Sequence, residues 1–205
     1  MTTSGLVGQH FINVEGLKTF YIKSGADGYP LVLIHGGSPG ACASVSWRKN
    51  IEPLAGAGFL VYAFDQPGFG LTDNPTDYSM EFRVRHAKSY IDTLGHQNYH
   101  LIGNSHGDYI AARLAMGNHR VKGLVLVSTS GAPAAPNHLQ AAGRHSTELR
   151  QYTPSLENAR SLTMGTLFHK SLANEIVQER YEMSVGKNFD AQSARSQTAS
   201  PQPFS

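Results

Sequence analysis

The chain has 205 residues, 40% of them hydrophobic, enough for the core of one ordinary domain. Seventeen Lys and Arg against fifteen Asp and Glu leave a net charge of +2, and charged residues make up only 16%, which excludes a coiled coil and a highly charged disordered chain. No run of basic residues forms the patch or stripe that a nucleic-acid binder needs.

Cys42 is the one cysteine, so the sequence offers neither an internal disulfide nor a cysteine-based zinc cluster. The first residues, Met1 to Gly5, have no basic segment followed by an apolar one, so no signal peptide is visible. Apolar runs such as Leu124-Val125-Leu126-Val127 fall far short of the ~18 residues a membrane helix needs. The expectation is a soluble, cytoplasmic protein with no membrane partner.

In chain order, Phe11 to Val14 and Leu17 to Ile22 read as two strands joined by a turn at Glu15-Gly16. Leu31 to Ile34 is a continuous apolar run ending in His35-Gly36-Gly37. Phe59 to Phe64 ends in Asp65-Gln66-Pro67-Gly68. Val84, Ala87, Ile91 and Leu94 form one helical stripe, with Ser79 as its N-cap and Gly95 as its stop. Tyr99 to Ile102 ends in Gly103, and a second helical stripe, Ile110, Ala111, Leu114 and Ala115, runs to Gly117-Asn118. Leu124 to Val127 completes the series. Short runs that are apolar on both faces, alternating with helices, predict an α/β fold: a mostly parallel sheet carrying an N-terminal antiparallel hairpin.

Beyond Gly131 the character changes. Residues 132–160 hold Pro133, Pro136 and Pro154 and no strand pattern; helical periodicity returns near 161 and is clearest from Asn174 to Ser184. Gly186 to Ser205, rich in Ser, Gln and Ala, reads as a polar tail. The expected organisation is a sheet core over 1–131 and a helical cap region with that tail over 132–205.

Two motifs carry chemistry. Gly103-Asn104-Ser105-His106-Gly107 has the form G-x-S-x-G at a strand-to-helix junction, where a sharp turn exposes a serine hydroxyl and leaves room only for glycine on either side. His35-Gly36-Gly37-Ser38-Pro39-Gly40 follows a strand and suits a loop whose backbone N–H groups converge on an oxyanion. No Gly-Lys-Ser/Thr follows it, which excludes a phosphate-binding P-loop. The donors would be the N–H groups of Gly37 and His106.

These pieces resemble the α/β-hydrolase superfamily. Within it the chain is similar to the meta-cleavage-product hydrolases, through His35 to Ala41, Asp65-Gln66-Pro67-Gly68-Phe69-Gly70 with Asp73, the Ser105 motif, and Gln178-Glu179-Arg180-Tyr181. The resemblance implies a cofactor-free, metal-free enzyme acting on 2-hydroxy-6-oxo-dienoates. It would ketonise them and hydrolyse a C–C bond to give 2-hydroxypentadienoate and a carboxylic acid. Carried over by position, Ser105 is the nucleophile, Gly37 and His106 the oxyanion hole, and Asn104, Arg180, Gly36 and Ser46 line the substrate. Arg180 has a second argument: with Ile176, Val177, Tyr181 and Ser184 it lies on the apolar face of its helix, where a guanidinium snorkels, pairs with a carboxylate or meets an anion.

The chain departs from the family at three positions. Ser46 replaces a common Asn, His106 a common Met, and Asp108 a small residue. The family's acid and base follow the cap on two later strands. The histidines after Ser105 are His106, His119, His138, His145 and His169, and none follows such a strand; the last Asp is Asp190, in the polar tail. The sequence therefore reads as C-terminally truncated, its last two strands missing, and the 205-residue chain is expected to turn over poorly. His119, His138, His145 and His169 read as surface residues, His35 as architectural, and His96 and His100 as a weak metal pair. Cys42 reads as a small buried residue.

Three functional alternatives remain at this point: a carboxylesterase, an imino-peptidase-type hydrolase, and a non-catalytic truncated fold. A dehalogenase is disfavoured because its nucleophile would be Asp. A sheet that ends early leaves an apolar edge and favours a homo-oligomer.

Overall fold

The structure, a computed structural model, describes residues 7–128, 151–167 and 169–197. Six strands form one sheet: β1 (Gly8–Val14), β2 (Leu17–Ser24), β3 (Tyr29–Ile34), β4 (Phe59–Phe64), β5 (Tyr99–Asn104) and β6 (Val121–Val127), in the order β1-β2-β4-β3-β5-β6. The β1–β2 and β2–β4 pairs are antiparallel and the other three parallel, as the apolar runs and the hairpin turn predict. Glu15 and Gly16 both take positive φ, the two-residue turn that matches the twist of a hairpin.

Alternation within β3 divides the core. Val32 and Ile34 face one layer with Phe64, Tyr90, Leu101 and Ile110. Leu31 and Leu33 face the other with Phe20, Val61, Trp47 and Ile51. The first layer is covered by α3 (Met80–Thr93) and α4 (His106–Ala115), the second by α1 (Ala43–Trp47) and α2 (Ile51–Gly56). Ser79 caps α3 as expected, its Oγ accepting the Phe82 N–H at 3.1 Å. Because β3 lies between β4 and β5, the chain leaves it in opposite directions on its two sides. The carboxyl ends of β3 and β5 therefore flank the crevice where open α/β sheets hold ligands.

The structure corrects the sequence reading in three places. The short helices α1 and α2 lie where no helix was expected, since five and six residues are too few to show a period. Next comes α5 (Leu156–Thr166), which begins five residues before the expected return of helix. It is started by Ser155, whose Oγ accepts the Asn158 N–H at 3.0 Å. A 3-10 turn (Lys170–Leu172) and α6 (Ala173–Glu182) follow, close to the expected helix.

The expected polar tail is the third correction. It contains α7 (Lys187–Ser196), which is held by side chains reaching the β4–α3 loop. Lys187 Nζ donates to Thr72 O, Asn188 Nδ2 to Gly70 O and Arg195 Nη1 to Gly68 O. Polar anchoring of this kind leaves no apolar stripe to read. The Pro-rich reading of 132–150, with His138 and His145, and the last eight residues lie outside the described residues.

Candidate active site

Ser105 stands at the junction of β5 and α4 with φ +52° and ψ −119°, a strained conformation worth about 1–3 kcal/mol that the surroundings must enforce. Its N–H donates to Val127 O at 2.9 Å and its carbonyl accepts the Asp108 N–H at 2.9 Å, so β6 and α4 both hold the turn. The flanking glycines are required by close backbone. A Cβ at Gly103 would meet Gly107 O at 2.3 Å, and one at Gly107 would meet Ile34 O at 2.2 Å.

The loop after β3 lies directly across from this turn. A Cβ on Gly36 would stand 3.1 Å from Asn104 Oδ1 and 3.3 Å from Ser105 Cβ. One on Gly37 would fall 2.2 Å from His106 Nδ1, so the imidazole rests on the Gly37 backbone. Ser105, Asn104, Gly36, Gly37 and His106 are thus brought together. Burial, followed by the charges of Arg83 and Arg195, lowers the His106 pKa to about 4 and keeps the ring neutral. Ser46 lies on α1, where its N–H donates to Cys42 O.

His35 is locked beneath the loop. Its Nδ1 meets Gly36 O at 2.7 Å and its Nε2 accepts the Gln66 N–H at 3.0 Å, which fixes the tautomer with hydrogen on Nδ1. Burial lowers its pKa to about 3, so it stays neutral and architectural. Asp65 has an equivalent role on the next loop. Its Oδ1 accepts the Ala43 N–H at 2.7 Å and its Oδ2 the Leu71 N–H at 2.8 Å, while burial raises its pKa to about 6. Cys42, fully buried beside it, has its thiol pushed up to about 12 by burial and the Asp65 charge, and is an inert packing residue.

Arg180 reaches the site from α6. It is 7% exposed, its Nη1 donates to Ser38 Oγ at 3.3 Å and Pro39 O at 3.2 Å, and its Nε is buried with no hydrogen-bond partner. Among the described residues no carboxylate forms an ion pair with it. Its burial argues against snorkelling, and a buried guanidinium without an ion-pair partner among the described residues is costly. The backbone of α6 is pressed on the loop, where a Cβ at Gly40 (φ +66°) would collide with Arg180 O. On its outer side α6 is tied to α1 by Glu179, which takes Ser44 Oγ and Arg48 Nη2, and by a Lys49–Glu175 pair at 2.6 Å.

Arg83 and Arg195 escaped the sequence reading. Arg83, on α3, is 6% exposed and donates to Gln66 Oε1 at 3.4 Å. Arg195, on α7, stacks its guanidinium 3.7 Å from the Phe69 ring centroid. A signal existed for Arg83, which precedes Ala87 and Tyr90 by four and seven residues on the buried face of α3. The remaining described histidines are not gathered into a metal site. His96 Nε2 meets Tyr62 Oη at 2.9 Å, His100 packs edge-on to Phe59, and no group of metal-ligating side chains occurs among the described residues.

Known proteins share this fold. The profile of the alpha/beta hydrolase fold matches residues 29–180. The chain is 31% identical to a 2-hydroxy-6-oxononadienedioate/2-hydroxy-6-oxononatrienedioate hydrolase of Paraburkholderia phymatum, over 95% of this chain and 71% of that one. It is 34% identical to a 2-hydroxymuconate semialdehyde hydrolase of Pseudomonas, over 89% of this chain and 63% of the relative. A solved meta-cleavage product hydrolase from Pseudomonas fluorescens superposes with a TM-score of 0.77 at 31% identity, over 92% of this chain and 68% of that one. The chain thus spans 63–71% of the length of these relatives. A matched profile over most of the chain, together with 31% identity and a shared fold over most of its length, places it in the α/β-hydrolase family, among the meta-cleavage product hydrolases.

Proposed function

We propose that this chain carries the nucleophile and the substrate-binding groups of a serine-dependent C–C hydrolase for 2-hydroxy-6-oxo-dienoates, small-molecule products of aromatic ring fission. Ser105 Oγ attacks the carbonyl carbon. The N–H groups of Gly37 and His106 stabilise the oxyanion that develops there. Arg180 and Asn104 hold the carboxylate end, with Gly36 and Ser46 lining the pocket. Water adds across the broken C–C bond, giving 2-hydroxypentadienoate and a carboxylic acid. No cofactor or metal enters this scheme, and a cytoplasmic location fits it; no described helix is long and apolar enough to cross a membrane.

Arg180 carries the reading, because a buried guanidinium with an unsatisfied Nε, held against Ser38 and Pro39 of the glycine loop, suits an anionic ligand. A carboxylesterase or imino-peptidase reading gives that charge no task. The chain's own residues bind, orient and polarise. Of the described histidines near the turn, His35 is engaged with Gly36 and Gln66 and His106 rests one edge on Gly37, and no hydrogen bond among the described residues joins either ring to Ser105 Oγ. Strong binding with little turnover is therefore the expected behaviour of the 205-residue chain.

The test follows the visible absorption of a ring-fission dienoate as protein is added. Binding should perturb the spectrum, and Arg180→Ala should weaken it about 30-fold, the roughly 2 kcal/mol lost when one partner of a buried charge pair is removed. Equal affinity in a folded Arg180→Ala protein would sink the assignment.

A further inference from the structure

Among the described residues the His106 side chain has no hydrogen-bond partner. Its ring is half-buried, and no hydrogen bond joins it to any described residue. The ring touches the Gly37 backbone through one edge: a Cβ there would lie 2.2 Å from Nδ1 and 3.1–3.2 Å from Cγ and Cε1. The opposite edge, Cδ2 and Nε2, therefore points away from the oxyanion loop. An unpaired polar edge next to the nucleophile has the position of a substrate contact rather than of a packing residue.

Its electrostatic setting narrows the chemistry. Arg83 is buried, its Nε has no partner, and no carboxylate pairs with it among the described residues. Arg195 lies against Phe69 and Gly68 O of the β4–α3 loop, and Arg83 approaches the same Phe69 ring. The charges of both are felt at His106 and at His35. In the tautomer with hydrogen on Nε2, the neutral imidazole presents a hydrogen-bond donor within a positive field. Arg180, contacting Ser38 and Pro39, supplies the separate cation for the dienoate carboxylate.

Resting on the dienoate reading above, we propose that the outer edge of His106, backed by Arg83 and Arg195, makes this site select dienoates whose carbonyl carbon bears a carboxylate-ended chain over those bearing an apolar ring. A carboxylate there would accept from Nε2–H and meet the field of the two guanidiniums. A phenyl group would leave the donor unpaired, the situation in which a site built for a polar group rejects its apolar analogue.

The experiment titrates the 205-residue chain with two probes, 2-hydroxy-6-oxononadienedioate and 2-hydroxy-6-oxo-6-phenylhexa-2,4-dienoate, reading the change in visible absorption. The unaltered chain should bind the dicarboxylate at least about tenfold more tightly. His106→Met should bring the ratio near one, and His106→Gln, which keeps a donor, should retain most of it. Circular dichroism of both variants checks that the fold persists. A ratio unchanged in His106→Met, or a native preference for the phenyl compound, overturns the selectivity assignment while leaving the dienoate reading standing. If neither probe binds the folded chain, the dienoate reading itself fails and this inference with it.

Discussion

Strands β3 and β6 are built from nearly the same residues and live in opposite surroundings. Leu31, Val32, Leu33 and Ile34 in β3 are 0–3% exposed, whereas Leu124, Val125, Leu126 and Val127 in β6 are 38–51% exposed. The difference lies in neighbours. β3 is paired on both edges and helices cover both its faces, while β6 is the edge of the described sheet and pairs with β5 alone. An apolar run thus records which faces a strand is able to bury, and says nothing of what is there to bury them. Both strands nevertheless serve the same site. The carboxyl end of β3 launches the glycine loop, and the last residue of β6 accepts the Ser105 N–H.

Acid should sharpen the contrast most. The β3 side of the molecule carries neutral histidines, two buried and one half-buried: His35 with its pKa lowered to about 3, and His86 and the half-buried His106 each lowered to about 4, all chiefly by loss of solvent. Such groups favour the folded state above their unfolded pKa of ~6.5, and that stability drains away as pH falls toward the folded values. Asp65 works the other way. Raised to about 6, it takes up its proton in the folded state first and gains stability as pH drops. Three histidines against one carboxyl leave roughly two net protons bound on unfolding, on the order of 4 kcal/mol lost between pH 6.5 and pH 5. Urea midpoints across that range measure it. His86→Phe, which replaces a ring already packed against Phe64 and Phe82, should flatten the slope. A stability independent of pH would show that these imidazoles are open to water.

Truncating one leucine in each strand breaks the likeness directly. Leu33→Ala should cost about 3 kcal/mol, since the side chain is fully buried and β4 and β5 prevent collapse around the cavity. Leu126→Ala should cost less than about 1 kcal/mol. Urea denaturation of the two variants gives the comparison, and equal losses would mean that β6 is as well covered as β3.

What was legible in the sequence follows the same division. The parallel strands were found because each is a compact apolar run that breaks off at polar or glycine residues, the hairpin through its Glu15-Gly16 turn, and the serine turn because steric demand at Gly103 and Gly107 writes itself into residue identity. Arg180 was legible through the apolar helical face that carries it. The short helices α1 and α2 were not, having too few turns to show a period. Nor was α7, whose attachment is by Lys187, Asn188 and Arg195 to loop carbonyls. A long-range contact between a polar side chain and a distant backbone oxygen leaves no local pattern. Arg83 and Arg195 belong to the same class: their importance comes from two helices meeting at Phe69, far apart in the chain.

The smallest effect on stability falls on the face of β6 itself. Leu124 and Leu126 project from one side of the strand and Val125 and Val127 from the other, so an edge this apolar on both sides invites a second chain to pair with it. Placing a charge there is the device by which natural edge strands prevent such pairing. Leu126→Lys should therefore leave the urea midpoint within about 0.5 kcal/mol of the unaltered chain while reducing self-association seen by light scattering. Leu33→Lys, the matching change in β3, should abolish folding. If instead Leu126→Lys costs several kcal/mol, the strand is covered in solution, and the contrast with β3 is one of position in the sheet alone.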